Sequence, residues 1–240
     1  MTTTEIRNYI LTRYDVVTSQ GAPGYEDDDL SMFFNSAQKM FFKALAGHAS
    51  NPALKGVEET EKRSKDLSDF KDHANISTAL VGDHPNSFFC NLPENCFIAL
   101  KEECSVTYTD SCGSNVTERV PVKPVKEDYY NANINNPYKR PYEQLIWRLD
   151  REKQDITQPL SATNRKRHEL VLFAGATFVD YRLTYYRRPK DVDLTDTTDF
   201  CEFDPMHHER IADIAVELMM QTTGRPDLQT KINENTKIIE

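Results

Sequence analysis

Between Thr4 and Thr18 apolar side chains recur at Ile6, Ile10, Tyr14 and Val17, with Tyr9 beside them. Steps of three and four place them on one face of a helix. The spacing predicts an amphipathic helix that stops at Gln20-Gly21-Ala22-Pro23-Gly24, where glycine suits a helix C-cap and proline disfavours continuation. Glu26, Asp27, Asp28 and Asp29 then open a second periodic run, and acid side chains favour a helix N-terminus through its dipole. Leu30, Phe33, Phe34, Ala37, Phe41, Ala44 and Leu45 continue it on one broad face. Two helices on a short link predict an antiparallel hairpin whose aromatic stripe packs on its neighbour. In the charged run Val57 to Phe70 only Val57, Leu67 and Phe70 can be buried, so a helix there would be mostly solvated.

From Ile76 the period changes to two. The runs ISTALVG, SFFCNL, CFIALKEECSVTY and VTERVPV are divided by Gly82-Asp83, Pro93-Glu94 and Asp110-Ser111-Cys112-Gly113, which predicts a meandering antiparallel sheet. Val116, Glu118, Val120 and Val122 alternate against Thr117 and Arg119. Pro124 to Pro141 reads as a loop or broken helix, and Leu145 to Leu149 as a strand. A further hairpin is predicted from Leu170–Ala174 and Phe178–Arg187 around Gly175, with Val179, Tyr181, Leu183 and Tyr185 on the core face. That strand ends at Arg188-Pro189. Asp204-Pro205 then starts a helix with Ile211, Ile214, Ala215, Leu218 and Met219 on one face, closed by Gly224 and Pro226. The polar stretch Asp227 to Glu240 reads as a short helix or an arm ordered by a neighbour.

Helices, then strands, then a helix give an α+β fold. The expected division is a helical hairpin and charged connector over 1–74, a central antiparallel β subdomain over 75–200, and a helix with arm over 201–240 that completes the helical layer.

The net charge of −9 argues against a protein that grips nucleic-acid phosphates. The acid is uneven, because residues 137–190 hold 12 Lys and Arg against 6 Asp and Glu. A basic segment in an acidic chain suggests complementary faces between subunits or partners. No stretch approaches the ~20 apolar residues that span a bilayer, and MTTTEIRNYI lacks the pattern of a signal peptide, so the expected place of synthesis is the cytoplasm.

Candidate chemistry is sparse. His207-His208-Glu209 is the densest metal-capable cluster, but adjacent histidines diverge by about 100° on a helix, and the expected role is surface or capping. Asp27 to Asp29 lack the alternating ligands and loop glycine of a calcium motif. The five cysteines lack close CxxC pairing and read as reduced packing thiols. Neither a GxSxG elbow nor a GxxxxGK[ST] loop is present. Tyr181 to Lys190 interleaves Arg and Tyr as base-stacking sheets do, which keeps a nucleic-acid-binding accessory protein as the alternative.

Four stretches, QGAPGYEDDDLSMFFNSAQKMFFKAL, NPYKRPYEQLIWRL, YRLTYYRRPKDVDL and CEFDPMHHERIADIAVELMMQTTGRPDLQT, resemble in order and spacing the tail ring proteins of crAss-like bacteriophages. The resemblance implies a non-enzymatic virion protein of the head-to-tail connector, without cofactor or metal. It implies twelve copies in a ring that contacts the portal or an adjacent ring, or both, together with tail proteins, and that lets double-stranded DNA pass without recognition or any membrane contact. The expected interface residues are Pro23, Gly24, Arg182, Arg187, Arg188, His208 and Glu209.

Overall fold

A computed structural model describes residues 1–18, 25–46, 65–110, 112–152 and 166–222. The predicted turn at Gly21 to Gly24, most of the charged run before Lys65, and everything after Thr222 lie outside the described residues. The chain divides into two compact units, residues 71–187 and the two flanking segments together.

The flanking unit is helical, with α1 (Thr3–Thr18), α2 (Asp27–Ala46) and a C-terminal helix (Pro205–Thr222). Thr2 starts α1 reciprocally with Glu5. The Glu5 N–H donates to Thr2 Oγ1 (3.2 Å) and the Thr2 N–H to Glu5 Oε2 (2.9 Å), which satisfies amides the helix leaves open. Ile6, Ile10 and Tyr14 are buried as the periodicity requires. On α2 the buried face is Leu30, Phe34, Ala37, Gln38 and Phe42. Both helices pack chiefly on the C-terminal helix rather than on each other. A face that wide needs more apolar surface than the narrow stripe of α1 offers, and Ile211, Ala212, Ala215, Val216 and Met219 supply it. The aromatic stripe meets Phe70 and Phe203, with Phe42 against Phe70 at 5.2 Å and Phe41 against Phe203 at 5.5 Å. Residues 188–204 also belong to this unit. Asn35 holds Val192 at both backbone groups, donating from Nδ2 to its carbonyl (2.9 Å) and accepting its N–H at Oδ1 (2.8 Å).

The other unit is a curled eight-stranded sheet: β1 (Lys71–Ile76), β2 (Leu80–Val81), β3 (Ser87–Asn91), β4 (Cys96–Thr109), β5 (Asn115–Pro124), β6 (Ile146–Glu152), β7 (Lys166–Val171) and β8 (Thr177–Arg187). The strand order is β1-β8-β4-β5-β6-β7-β3-β2. The outer four on each side face each other, so Cys90, Cys104, Val120, Leu170, Tyr181 and Leu183 share one core.

Three expectations change. The sheet is mixed, because β5 and β6 are parallel: α3 (Glu127–Asn133) and the loop after it bring the chain back level with Val122, so Ile146 to Arg148 run beside Val122 to Pro124 in the same direction. The meander fails between β3 and β4, which pair with β7 and β8 instead. The hairpin around Gly175 is a turn without a ladder. Gly175 has the expected positive φ (+86°), but β7 pairs β3 and β6 while β8 pairs β1 and β4. The turn carries the chain across the core, so β7 and β8 meet through side chains, not backbone.

Val179 also departs from the alternation. Ser105 pairs Asp180 and Val106 pairs Phe178, which leaves Val179 as the extra residue of a β-bulge. It turns outward, 41% exposed, and Phe178 packs on the core in its place.

Candidate assembly interface

The expected interface residues that the structure describes are divided between the two units. Pro23 and Gly24 lie outside the described residues. Arg182 is exposed on β8, and Arg187 ends that strand half-buried. Arg188 and Glu209 are exposed in the helical unit. His208 is buried there on the inner face of the C-terminal helix, not at the surface. Its Nε2 lies 2.8 Å from the Phe203 carbonyl and its Nδ1 3.1 Å from the Met1 amino group, and burial lowers its pKa. Asp204 caps the same helix, accepting the Met206 N–H at 2.9 Å.

Two polar networks lie on opposite faces of β7. On the outer face Glu169 has a fully buried side chain. It accepts from Ser87 Oγ (2.6 Å), the His84 N–H (2.9 Å) and Arg151 Nε (2.8 Å). Burial alone would raise this carboxyl; the hydrogen bonds from Ser87, Arg151 and His84 outweigh it and bring it down to about 2. The backbone must come close for this, and a Cβ on Gly82 would collide with the Ser87 hydroxyl and sit 2.8 Å from Glu169 Oε1.

On the inner face a chain of bonds has its direction fixed at both ends. Arginine can only donate and carboxylate only accept. Arg148 Nη1 donates to His168 Nε2 (2.8 Å), His168 Nδ1 to Tyr181 Oη (2.8 Å), and Tyr181 to Glu102 Oε2 (2.7 Å). Arg148 closes the ring at 3.4 Å from Glu102. The imidazole is therefore neutral. Burial, then Arg148 and Lys166, hold its pKa down to about 3. Burial raises Glu102 and, more strongly, Tyr181.

Periodicity showed neither network, because the partners of Glu169 come from loops and strands far away in sequence. The available signal was the excess of Lys and Arg in 137–190, to which Arg148, Arg151, Lys166 and Arg167 all belong. These four line a recess of about 530 Å³ at one end of the curled sheet. Neither network is arranged as a catalyst: a neutral histidine with both nitrogens engaged and a carboxylate saturated with donors have no free function to offer a substrate. Among the described residues no three His, Cys, Asp or Glu side chains are grouped to hold a metal ion, and no helix is long and apolar enough to cross a membrane.

Both networks thus lock polar side chains into internal scaffolding, while Arg182, Arg188 and Glu209 display charge at the surface. The chain belongs to the phage tail ring protein 3/4 family, whose sequence profile matches residues 1–230. It is similar to ring protein 4/5 of Bacteroides phage crAss001, with 24% identity over 250 residues covering 97% of each chain. The family is one of structural bacteriophage tail proteins.

Proposed function

We propose that this chain closes into a ring with copies of itself, twelve around a channel, as part of the head-to-tail connector. In this reading the ring contacts the portal or an adjacent ring, and genomic double-stranded DNA passes through it without sequence recognition. The subunit needs no cofactor, catalyses nothing, and is made in the host cytoplasm before joining the virion. The observation that carries the reading is the match to a ring protein over 97% of both chains.

Charge supports it. Residues 71–187 hold 15 Lys and Arg against 15 Asp and Glu, so the helical unit, with 14 against 23, carries the whole −9. A head-to-tail ring needs two different complementary faces on each subunit, and this segregation provides unlike ones. Acid toward a channel lets DNA slide, whereas a basic lining would hold it through counterion release. Arg182, Arg188 and Glu209 are the expected contact residues that a partner can reach. The nucleic-acid alternative loses its stacking platform, since Tyr181 and Tyr185 are buried.

Mass spectrometry of purified virions tests the proposal. The expected result is about one copy per portal subunit. Absence from virions overturns it.

A further inference from the structure

The recess at the end of the curled sheet has two unlike walls. Leu92, Phe97, Ile98 and Ala99 make one, and Arg148, Lys166 and Arg167 stand on the other. Arg148 is neutralised within the fold by Glu102 (3.4 Å) and Asp150 (3.3 Å). Lys166 is exposed, and among the described residues no carboxylate pairs with it or with Arg167. Arg167 instead lies 3.6 Å over the Phe89 ring, its Nε buried without an acceptor. A bare phosphate would leave the apolar wall unused. An acidic segment with an aromatic anchor would use both walls.

The chain carries such a segment. Residues 191–204 hold six Asp and Glu and no Lys or Arg; Lys39 pairs with Asp191 (2.6 Å) and Lys190 with Asp199 (3.1 Å), whereas no lysine or arginine among the described residues pairs with Asp193 or Asp196. Phe200 stands among them, 65% exposed. Its presentation is already fixed. The Phe200 N–H donates to Asp199 Oδ1 (3.0 Å), the Asp193 N–H to Asp199 Oδ2 (2.9 Å), and Asp196 Oδ1 holds the Thr198 N–H (2.8 Å). A preformed anchor forfeits little entropy on binding.

We infer that Phe200 and the carboxylates around it on one copy seat in this recess on the next. The inference rests on the ring reading and deepens it, naming the contact that joins neighbours. Because knob and hole differ, the contact is heterologous and propagates head to tail until the ring closes.

The test uses the full chain in analytical ultracentrifugation, with Phe200→Ser to remove the knob and Lys166→Glu with Arg167→Glu to reverse the hole. Circular dichroism confirms folding, and Lys166→Glu alone serves if the double variant is destabilised by loss of the stack on Phe89. Each variant alone is expected to lose the oligomers that the wild-type chain forms. An equal mixture is expected to recover dimers and nothing larger, because one intact knob meets one intact hole. Oligomers that survive both variants overturn the contact while the ring reading stands. Duplex DNA binding that falls steeply with salt and is lost in Lys166→Glu reassigns the recess to phosphate and overturns the contact. A wild-type chain that stays monomeric at its highest soluble concentration overturns it as a self-contact, and virion copy number remains the separate measure of the ring.

Discussion

The two units solve stability differently. The helical unit buries Ile6, Ile10, Leu30, Phe34, Phe42 and Met219 and carries all the surplus acid. The β unit is charge-balanced, yet it draws Glu169 and His168 fully inside. The first therefore depends mainly on apolar packing, with one buried histidine of lowered pKa, His208, among its described residues, and the second on packing plus two more strongly shifted groups, His168 and Glu169. The difference can be read separately, because Trp147, the single tryptophan, is buried in the β unit, whereas helical ellipticity reports mostly on the other.

Among changes to the polar networks, Glu169→Ala should have the largest effect. It leaves the Ser87 hydroxyl and the His84 amide without their acceptor and reduces the partly exposed Arg151 to its other carboxylate, Glu127 (3.1 Å), so the loss should be about 2–3 kcal/mol. Urea unfolding followed by Trp147 fluorescence should show the loss while the helical transition moves little. A loss under ~1 kcal/mol, the value of an exposed pair, would mean that water already serves these donors.

Acid should separate the units next. His168 is held neutral, with its pKa lowered from 6.5 to about 3. Below 6.5 the unfolded chain takes up a proton that the folded chain refuses, so stability falls as pH drops through that window, by at most about 1.4 kcal/mol per pH unit. Glu169 acts lower down. Its contribution is complete above 4.5 and is lost as pH falls toward about 2. Between neutrality and about pH 5 the fluorescence midpoint should therefore lose about 2 kcal/mol, and His168→Gln should flatten that slope. An equal slope in the variant would assign the acid sensitivity elsewhere.

A smaller effect is expected where the sequence was most legible. Asp204-Pro205 reads as a helix start from neighbouring residues alone, and Asp204→Ala should cost about 1 kcal/mol, seen in the ellipticity transition and not in Trp147 fluorescence. The capping box at Thr2 and Glu5 was equally local and could have been read from the T-x-x-E spacing. Helix periods, turns and caps depend on residues within a few positions, so they survive without tertiary context. Strand partners do not: nothing near Gly175 says that β7 and β8 belong to opposite layers. The burial of Glu169 is likewise set by Ser87, His84 and Arg151, and in sequence it looks like one more charge in KRHELV. The recess was visible only as a regional excess of Lys and Arg, without its apolar wall.

The least disruptive substitution tests the finest of these differences. Val179 and Leu183 both belong to the apolar alternation of β8, and the bulge opposite Ser105 and Val106 turns only Val179 outward. Val179→Thr keeps the β-branched shape that strands favour and adds a hydroxyl where water reaches it, so stability should change by no more than about 0.5 kcal/mol. Leu183→Thr on the same strand loses buried volume and places a hydroxyl in the core, which should cost about 2–4 kcal/mol by the same fluorescence measurement. Equal losses at the two positions would return Val179 to the core face and remove the bulge. Unequal losses in the expected order would show that one extra residue in the ladder decides which side chains the core receives.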